Sequence, residues 1–169
     1  DDFMVGLDEA YAGLNATEGD ALFNADASEG PALKRAIEFL KGETWPDDVT
    51  LLDGGTGGFH LLDYLSSDAP LVMIDATMDG QPAGTVSTLR PRYASDFPRA
   101  LTAHDIGLRD LVEAAQLTGA LPVIDLVTIS IYAITPMELT LSPAVQASLP
   151  AVREAVRAAL ARQTVVGHA

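Results

Sequence analysis

Apolar residues recur at spacings of three and four in five segments of the chain, and this spacing predicts amphipathic helices. Proline at the first helical position supports two of them, at Pro31 and Pro143, and glycine closes two, at Gly42 and Gly119. We expect Pro150 to kink or restart the last helix, because proline lacks the N–H that a helix interior uses. The predicted helices cover residues 3–14, 31–41, 59–66, 107–118 and 143–160.

Four further segments are short, apolar or rich in β-branched residues, which predicts strands. Residues 71–74 are apolar at every position, so this strand is expected to be buried on both faces. The predicted strands cover residues 49–52, 71–74, 84–89 and 123–134, of which the last is the longest. Residues 15–30 are polar and glycine-containing with few apolar anchors, and we expect a surface insertion there.

Strands that alternate with helices through short connections predict an α/β fold. We expect one domain over residues 1–169, with a central, mostly parallel twisted sheet sandwiched by helices. A chain of 169 residues is long enough to bury a core without disulfides or a structural metal.

Charge and cysteine content narrow the possible functions. The chain has 24 acidic and 10 basic residues and a formal net charge of −14, which repels phosphate backbones and anionic membrane surfaces. No apolar run approaches the roughly 18 residues of a membrane span. The chain contains no cysteine, which excludes a thiol nucleophile and fits a reducing cytosol. We therefore expect a cytoplasmic protein without nucleic acid or membrane partners.

The candidate chemistry lies at predicted strand ends. The glycine-rich loop at residues 53–58 directly follows one strand, and glycine lets a ligand or peptide approach the backbone closely. Asp75 directly follows the strand at 71–74, and His104 precedes a helix. A carboxylate and an imidazole at one edge of a sheet form a site for a divalent ion that prefers nitrogen and oxygen ligands.

Structural interpretations compete with these functional ones. Asp75 also fits a turn or helix cap, Asp53 fits a cap of the following helix, and His104 fits an ordinary loop residue. His60 lies among apolar residues of a predicted helix and is expected to pack there, whereas His168 lies in the C-terminal tail.

Several catalytic motifs are missing from the sequence. It has no G-x-S-x-G elbow for a serine nucleophile and no H-E-x-x-H pair for a zinc peptidase. The glycine-rich loop also lacks the lysine of a phosphate-binding P-loop.

Five short motifs stand out along the sequence. They are Leu52-Asp53-Gly54-Gly55-Thr56, Met73-Ile74-Asp75-Ala76, Pro82-Ala83-Gly84-Thr85-Val86, His104-Asp105-Ile106-Gly107-Leu108 and Leu141-Ser142-Pro143. In order and spacing they resemble the maturation endopeptidases of nickel-iron hydrogenases. The resemblance covers residues 49–162 together with the acidic pair Asp1-Asp2.

The resemblance implies a metal-dependent endopeptidase that removes a C-terminal extension from the hydrogenase large subunit precursor after nickel insertion. Members of the family recognise nickel supplied by the precursor and use no organic cofactor. Their metal-binding and catalytic residues correspond here to Asp2, Asp75 and His104. Their substrate groove corresponds to the start of the glycine-rich loop, at Asp53, Gly54, Gly55 and Thr56.

The resemblance also implies a strand that precedes the acidic pair and lies centrally in the sheet. Because the sequence begins at Asp1, we expect this first strand to be missing, which would expose the hydrogen-bonding edges of its neighbours.

Two other functions fit parts of the sequence. A strand, a glycine-rich loop, a helix and an acidic residue at the next strand end also resemble the nucleotide corner of an S-adenosylmethionine-dependent methyltransferase, with Asp75 on the ribose. A chaperone that binds the large subunit without cutting it is the second alternative.

Overall fold

The computed structural model of the chain describes residues 3–7, 37–53, 61–66, 69–97, 108–119, 121–132 and 141–166. Within these residues, five strands form one sheet in the order β2-β1-β3-β5-β4. Neighbouring strands are parallel except for β4, which pairs antiparallel to β5. The strands are β1 (Phe3–Leu7), β2 (Val49–Asp53), β3 (Leu71–Thr77), β4 (Val86–Leu89) and β5 (Ile124–Ser130).

Helical segments accompany the sheet where the sequence predicts them. The described part of α1 is residues 37–41, and it ends where the Gly42 N–H donates to the carbonyls of Glu38 and Phe39 at 3.1 and 3.2 Å. At the start of the last helix, Ser142 Oγ accepts a hydrogen bond from the Val145 N–H at 3.3 Å, as an N-cap does. The remaining helices are α2 (Leu62–Leu65), α3 (Leu108–Thr118) and α4 (Pro143–Val166).

Two apolar cores lie on the two faces of the sheet, because successive side chains of a strand point to opposite faces. Val72 and Ile74 of β3 belong to the core that α1 and α4 cover. Leu71 and Met73 of the same strand belong to the core that α2 and α3 cover. The predicted α/β architecture with a mostly parallel sheet between helices is therefore confirmed.

The first strand corrects two predictions. Residues 3–7 form a strand, although the spacing of apolar residues over 3–14 predicted a helix. This strand pairs with β2 on one side and with β3 on the other, so it fills the central position that we expected to be vacant. The expectation of a missing first strand is therefore wrong for the described sheet.

Other boundaries also differ from the prediction. The strand predicted at 71–74 continues to Thr77, so Asp75 lies within β3 and not beyond its end. The strand predicted at 123–134 ends at Ser130 and equals β3 in length at seven residues. The last helix runs through Pro150 as one element of 24 residues and does not restart there.

Two further findings bear on the predictions. The predicted insertion at residues 15–30 lies outside the described part of the chain. Among the described helices, none combines the length and the apolar character that crossing a bilayer requires.

Candidate functional site

Asp75 is the polar exception in an otherwise buried strand. The other six residues of β3 are buried, whereas Asp75 is partly exposed. By the alternation of the strand, its side chain lies on the same face as Leu71 and Met73, which is the face that α3 covers. A carboxylate near the end of a central strand, with access to solvent, has the position of a ligand-binding group.

The topology places Asp75 at the switch point of the sheet. From β1 the chain moves outward to β2 and then returns to the other side of β1 to form β3. In open α/β sheets, ligands bind in the crevice outside the carboxyl ends of the two strands where the order reverses. Here these strands are β1 and β3, and Leu7, the last residue of β1, is paired with Ile74.

Asp53 is the last residue of β2, and its backbone is level with Leu7 of β1. The glycine-rich loop therefore begins at the same edge of the sheet as Asp75. However, β1 lies between β2 and β3, so these two strands are not neighbours and lie about 10 Å apart. Gly54, Gly55 and Thr56 lie outside the described residues.

The predicted ligand Asp2 lies outside the described residues. In the sequence it precedes Phe3, the first residue of β1. Met4 pairs with Leu71, so Phe3 lies about five residues, or roughly 16 Å, before Asp75 along the strand direction. The assignment of Asp2 as a metal ligand stays a prediction.

A second acidic pair follows β1 in the sequence. Asp8 and Glu9 come directly after Leu7, and Leu7 lies at the carboxyl edge beside Ile74. Both residues lie outside the described part of the chain. The sequence interpretation did not consider them as candidates, because residues 3–14 were interpreted as one helix.

His104 lies outside the described residues and precedes the start of α3 by four residues in the sequence. The C-terminal end of α3 lies near the start of β5, since Gly119 and Ile124 line one groove. A helix of 11 residues is about 16 Å long, so Leu108 at its start lies toward the carboxyl edge of the sheet. The assignment of His104 to a site shared with Asp75 stays a prediction.

Buried hydroxyl groups surround the Asp75 position, and the sequence interpretation did not identify them. Thr128 is the residue of β5 paired with Asp75, and it is buried. Thr77 and Ser130 form the last pair between these strands and are buried too. Ser130 Oγ donates a hydrogen bond to Asp79 Oδ2 at 3.1 Å. The sequence pattern that could have indicated them is a pair of polar residues two positions apart, Thr128 and Ser130, at the end of an apolar strand.

The Pro82-Ala83-Gly84-Thr85 motif has a structural role. Gly84 has a φ of +83°, and a Cβ at this position would lie 2.5 Å from the carbonyl oxygen of Ala144 in α4. The Gly84 N–H donates to the carbonyl of Ser130, and the Ser130 N–H donates to the carbonyl of Thr85. The motif therefore joins the end of β5 to the start of α4, beside the candidate site.

Among the residues that the structure describes, no three histidine, cysteine, aspartate or glutamate side chains form a cluster able to hold a metal. Of the predicted site, only Asp75 has a described side chain, and only the backbone of Asp53 is described. The metal-binding assignment of Asp75 and His104 stays a prediction.

Known proteins resemble this chain in both sequence and fold. A family model described as hydrogenase maturation protease matches residues 34–159. The hydrogenase 2 maturation protease of Escherichia coli K12 is 31% identical over 130 residues, which cover 71% of this chain and 79% of that protein. The hydrogenase expression/formation protein HupD of Rhodobacter capsulatus is 32% identical over 139 residues, which cover 78% of this chain and 64% of that protein.

A solved structure extends the likeness to most of the chain. The hydrogenase maturating endopeptidase HybD from E. coli superposes with a TM-score of 0.71 at 27% identity, covering 96% of this chain and 93% of that one. The chain spans about half the length of several other curated relatives, such as the 51% matched in HupD of Bradyrhizobium diazoefficiens. The family model, the curated relatives and the solved structure are all hydrogenase maturation proteins, which contradicts the methyltransferase interpretation. The chain belongs to the hydrogenase maturation protease family.

Proposed function

We propose that the chain is an endopeptidase that removes the C-terminal extension of a nickel-iron hydrogenase large subunit precursor after nickel insertion. The observation that carries this proposal is the position of Asp75, a partly exposed carboxylate at the switch point between β1 and β3. The fold around it is shared with a solved hydrogenase maturating endopeptidase.

The proposed ligands of the precursor's nickel are Asp75, His104 and one acidic side chain, which is Asp2 or a carboxylate of the Asp8-Glu9 pair that follows β1 in the sequence. Carboxylate and imidazole groups suit a divalent first-row metal. Three ligands from the enzyme leave positions free for those of the precursor. In this proposal the nickel is part of the substrate, and the enzyme checks that it is present.

The chain's own residues would hold the peptide in place. The loop that starts at Asp53 begins at the same edge of the sheet, about 10 Å from β3 across β1. We propose that Asp53, Gly54, Gly55 and Thr56 line the cleft and that their backbone groups bind the peptide. The nickel of the precursor supplies Lewis-acid activation of the scissile carbonyl or of a water molecule.

Exposed apolar side chains at the same edge support a protein substrate. Met78 directly follows β3 with 43% of its surface exposed, and Tyr132 lies two residues beyond β5 with 74% exposed. The two segments are joined by a hydrogen bond of 2.9 Å from the Ile131 N–H to the carbonyl of Thr77. Such side chains at a cleft favour contact with a polypeptide. We also propose a cytoplasmic location, which the cysteine-free sequence supports.

Incubation with nickel-loaded and nickel-free precursor, followed by mass spectrometry of the large subunit, tests the proposal. We expect the C-terminal peptide to be lost only from the loaded precursor. Stable association without any loss of mass would instead identify a chaperone. Equal cleavage of both forms would contradict recognition through nickel.

A further inference from the structure

A surface groove lies at the edge of the sheet opposite to Asp75. A groove of about 460 Å³ lies where β5 begins, and we name it the amino-edge groove. Ile124, the first residue of β5, pairs with Leu71 of β3. Leu71 precedes Asp75 by four residues, so this end of the sheet lies roughly 13 Å from Asp75 along the strands. The lining residues that matter are Arg90, Pro91, Arg92, Leu121, Pro122 and Val123.

Arg90 is held in a fixed orientation by a buried carboxylate. Its Nε and Nη2 donate to the two oxygens of Asp125 at 3.2 and 2.7 Å. The Asp125 side chain is only 2% exposed, whereas that of Arg90 is 38% exposed. Among the described residues, Nη1 of Arg90 has no acceptor, so this side of the guanidinium is available to a second anion. A guanidinium oriented in advance loses less conformational entropy when it binds a carboxylate.

Arg92 adds a second cation to the groove. Its side chain is exposed and has no ion pair within 4.0 Å in the described part of the chain. The nearby Asp96 carboxylate accepts hydrogen bonds through Oδ2 from the backbone N–H groups of Arg92 and Tyr93, at 2.9 and 3.0 Å. These bonds lower the pKa of Asp96. The Arg92 charge lowers the pKa of Asp96 further, but the carboxylate serves as a local backbone cap and forms no ion pair within 4.0 Å with the exposed Arg92 guanidinium.

The described lining of the groove contains two of the ten basic residues and no acidic residue, in a protein of net charge −14. Asp125 and Asp96, which lie beside the two arginines, offset part of this positive charge. The walls between them are apolar, and Val123 is 41% exposed at the rim. Guanidinium groups recognise carboxylates, and apolar walls recognise aliphatic side chains. An acidic peptide with aliphatic side chains is complementary to both the arginines and the apolar walls. The negative net charge of the protein disfavours nucleic acid as the ligand.

We propose that the amino-edge groove binds an acidic, aliphatic segment of a partner protein, at a site separate from the Asp75 edge. The proposal does not depend on the protease assignment, because it rests on Arg90, Arg92 and the groove walls alone. Binding there would anchor a partner while the opposite edge of the sheet stays accessible.

Fluorescence anisotropy with a labelled peptide of alternating glutamate and valine tests this site. We expect saturable binding to the full chain, weakened about tenfold in Arg92→Gln, because a hydrogen bond to a charged group is lost. Arg109→Gln is the matched control, since it removes the same charge from the distant start of α3, and we expect it to bind as the wild type does. A peptide with serine in place of valine should bind more weakly.

The site is then located by NMR. On titration with the same peptide, the backbone amide signals of five residues should shift most: Arg90, Arg92, Leu121, Val123 and Ile124. Three results would overturn the proposal: no saturable binding to the wild type, equal loss in Arg92→Gln and Arg109→Gln, or tighter binding of a lysine-valine peptide than of the glutamate-valine peptide.

Discussion

The buried carboxylate of Asp125 accepts four hydrogen bonds from described side chains. Besides Arg90, its oxygens accept hydrogen bonds from Arg162 Nη2 at 3.3 Å and from Gln163 Nε2 at 2.9 Å. Gln163 Nε2 also donates to the carbonyl of Leu71 at 2.9 Å. The cluster therefore links β3, β5, the end of β4 and α4 at the amino edge of the sheet. Since the arginines are partly exposed, the buried carboxylate is the group that depends on its partners.

Replacing Asp125 should destabilise the protein more than replacing a surface aspartate. We expect Asp125→Ala to lower the free energy of unfolding by about 2 to 4 kcal/mol, because charge-assisted hydrogen bonds to a buried group are lost. Urea denaturation measures the change. Asp47→Ala, in an exposed turn, serves as the control and should change the stability by less than about 0.5 kcal/mol. Equal effects would refute the importance of the cluster.

Comparing Gly84 with Gly80 distinguishes backbone strain from steric overlap as the reason that a side chain is disfavoured. Both have positive φ, at +83° and +78°, but only Gly84 has atoms where a Cβ would lie. Gly84→Ala should cost about 2 to 4 kcal/mol, the sum of backbone strain and overpacking against α4. Gly80→Ala should cost only the backbone part, about 1 to 2 kcal/mol. Thermal unfolding of the two variants checks the difference, and a larger loss in Gly80→Ala would contradict it.

At the residue scale, the sequence drew attention to Asp75 but not to the strand that lies beside it. Asp75 was noticed because a carboxylate directly after four apolar residues is conspicuous. The pairing of β1 with β3, which places Leu7 beside Ile74, could not be predicted. Pairing between distant segments cannot be deduced from local spacing. Metal binding by Asp2, Asp75 and His104 stays a prediction.

At the scale of elements, the segments with strong periodicity or clear boundaries were predicted well. Gly42, Gly119 and Ser142-Pro143 mark element ends that the structure shares. The strand β1 was missed because a central parallel strand is covered on both faces and lacks the alternation that identifies a strand. Over five residues, its apolar positions fit a helical spacing equally well.

Pro150 offers a test of element stability. It lies inside α4 and is exposed, so it leaves the carbonyl of Gln146 without the N–H that another residue would donate. Pro150→Ala should raise the free energy of unfolding by about 1 to 3 kcal/mol, since proline in a helix interior costs about 3 kcal/mol. Gln146→Ala is the control for a change of side chain alone. A fall in stability in Pro150→Ala, measured in urea, would contradict the prediction.

At the scale of the whole molecule, the net charge of −14 opposes folding through self-repulsion. Sodium chloride screens exposed charges, whereas the buried Asp125 contacts are screened less. We therefore expect the melting temperature to rise by a few degrees between about 0.02 and 0.3 M sodium chloride. Differential scanning calorimetry measures it, and a fall over this range would show that attractive surface pairs dominate.

The central claim is that Asp75 at the switch point binds the nickel-bearing segment of a precursor during cleavage. The most direct measurement is the cleavage rate of nickel-loaded precursor by Asp75→Asn, with wild type and Asp47→Asn in parallel. Circular dichroism of each variant verifies that the fold is retained. We expect a loss of about 100-fold or more for Asp75→Asn, equivalent to about 2.7 kcal/mol, and an unchanged rate for Asp47→Asn. Cleavage by folded Asp75→Asn at the wild-type rate would contradict it.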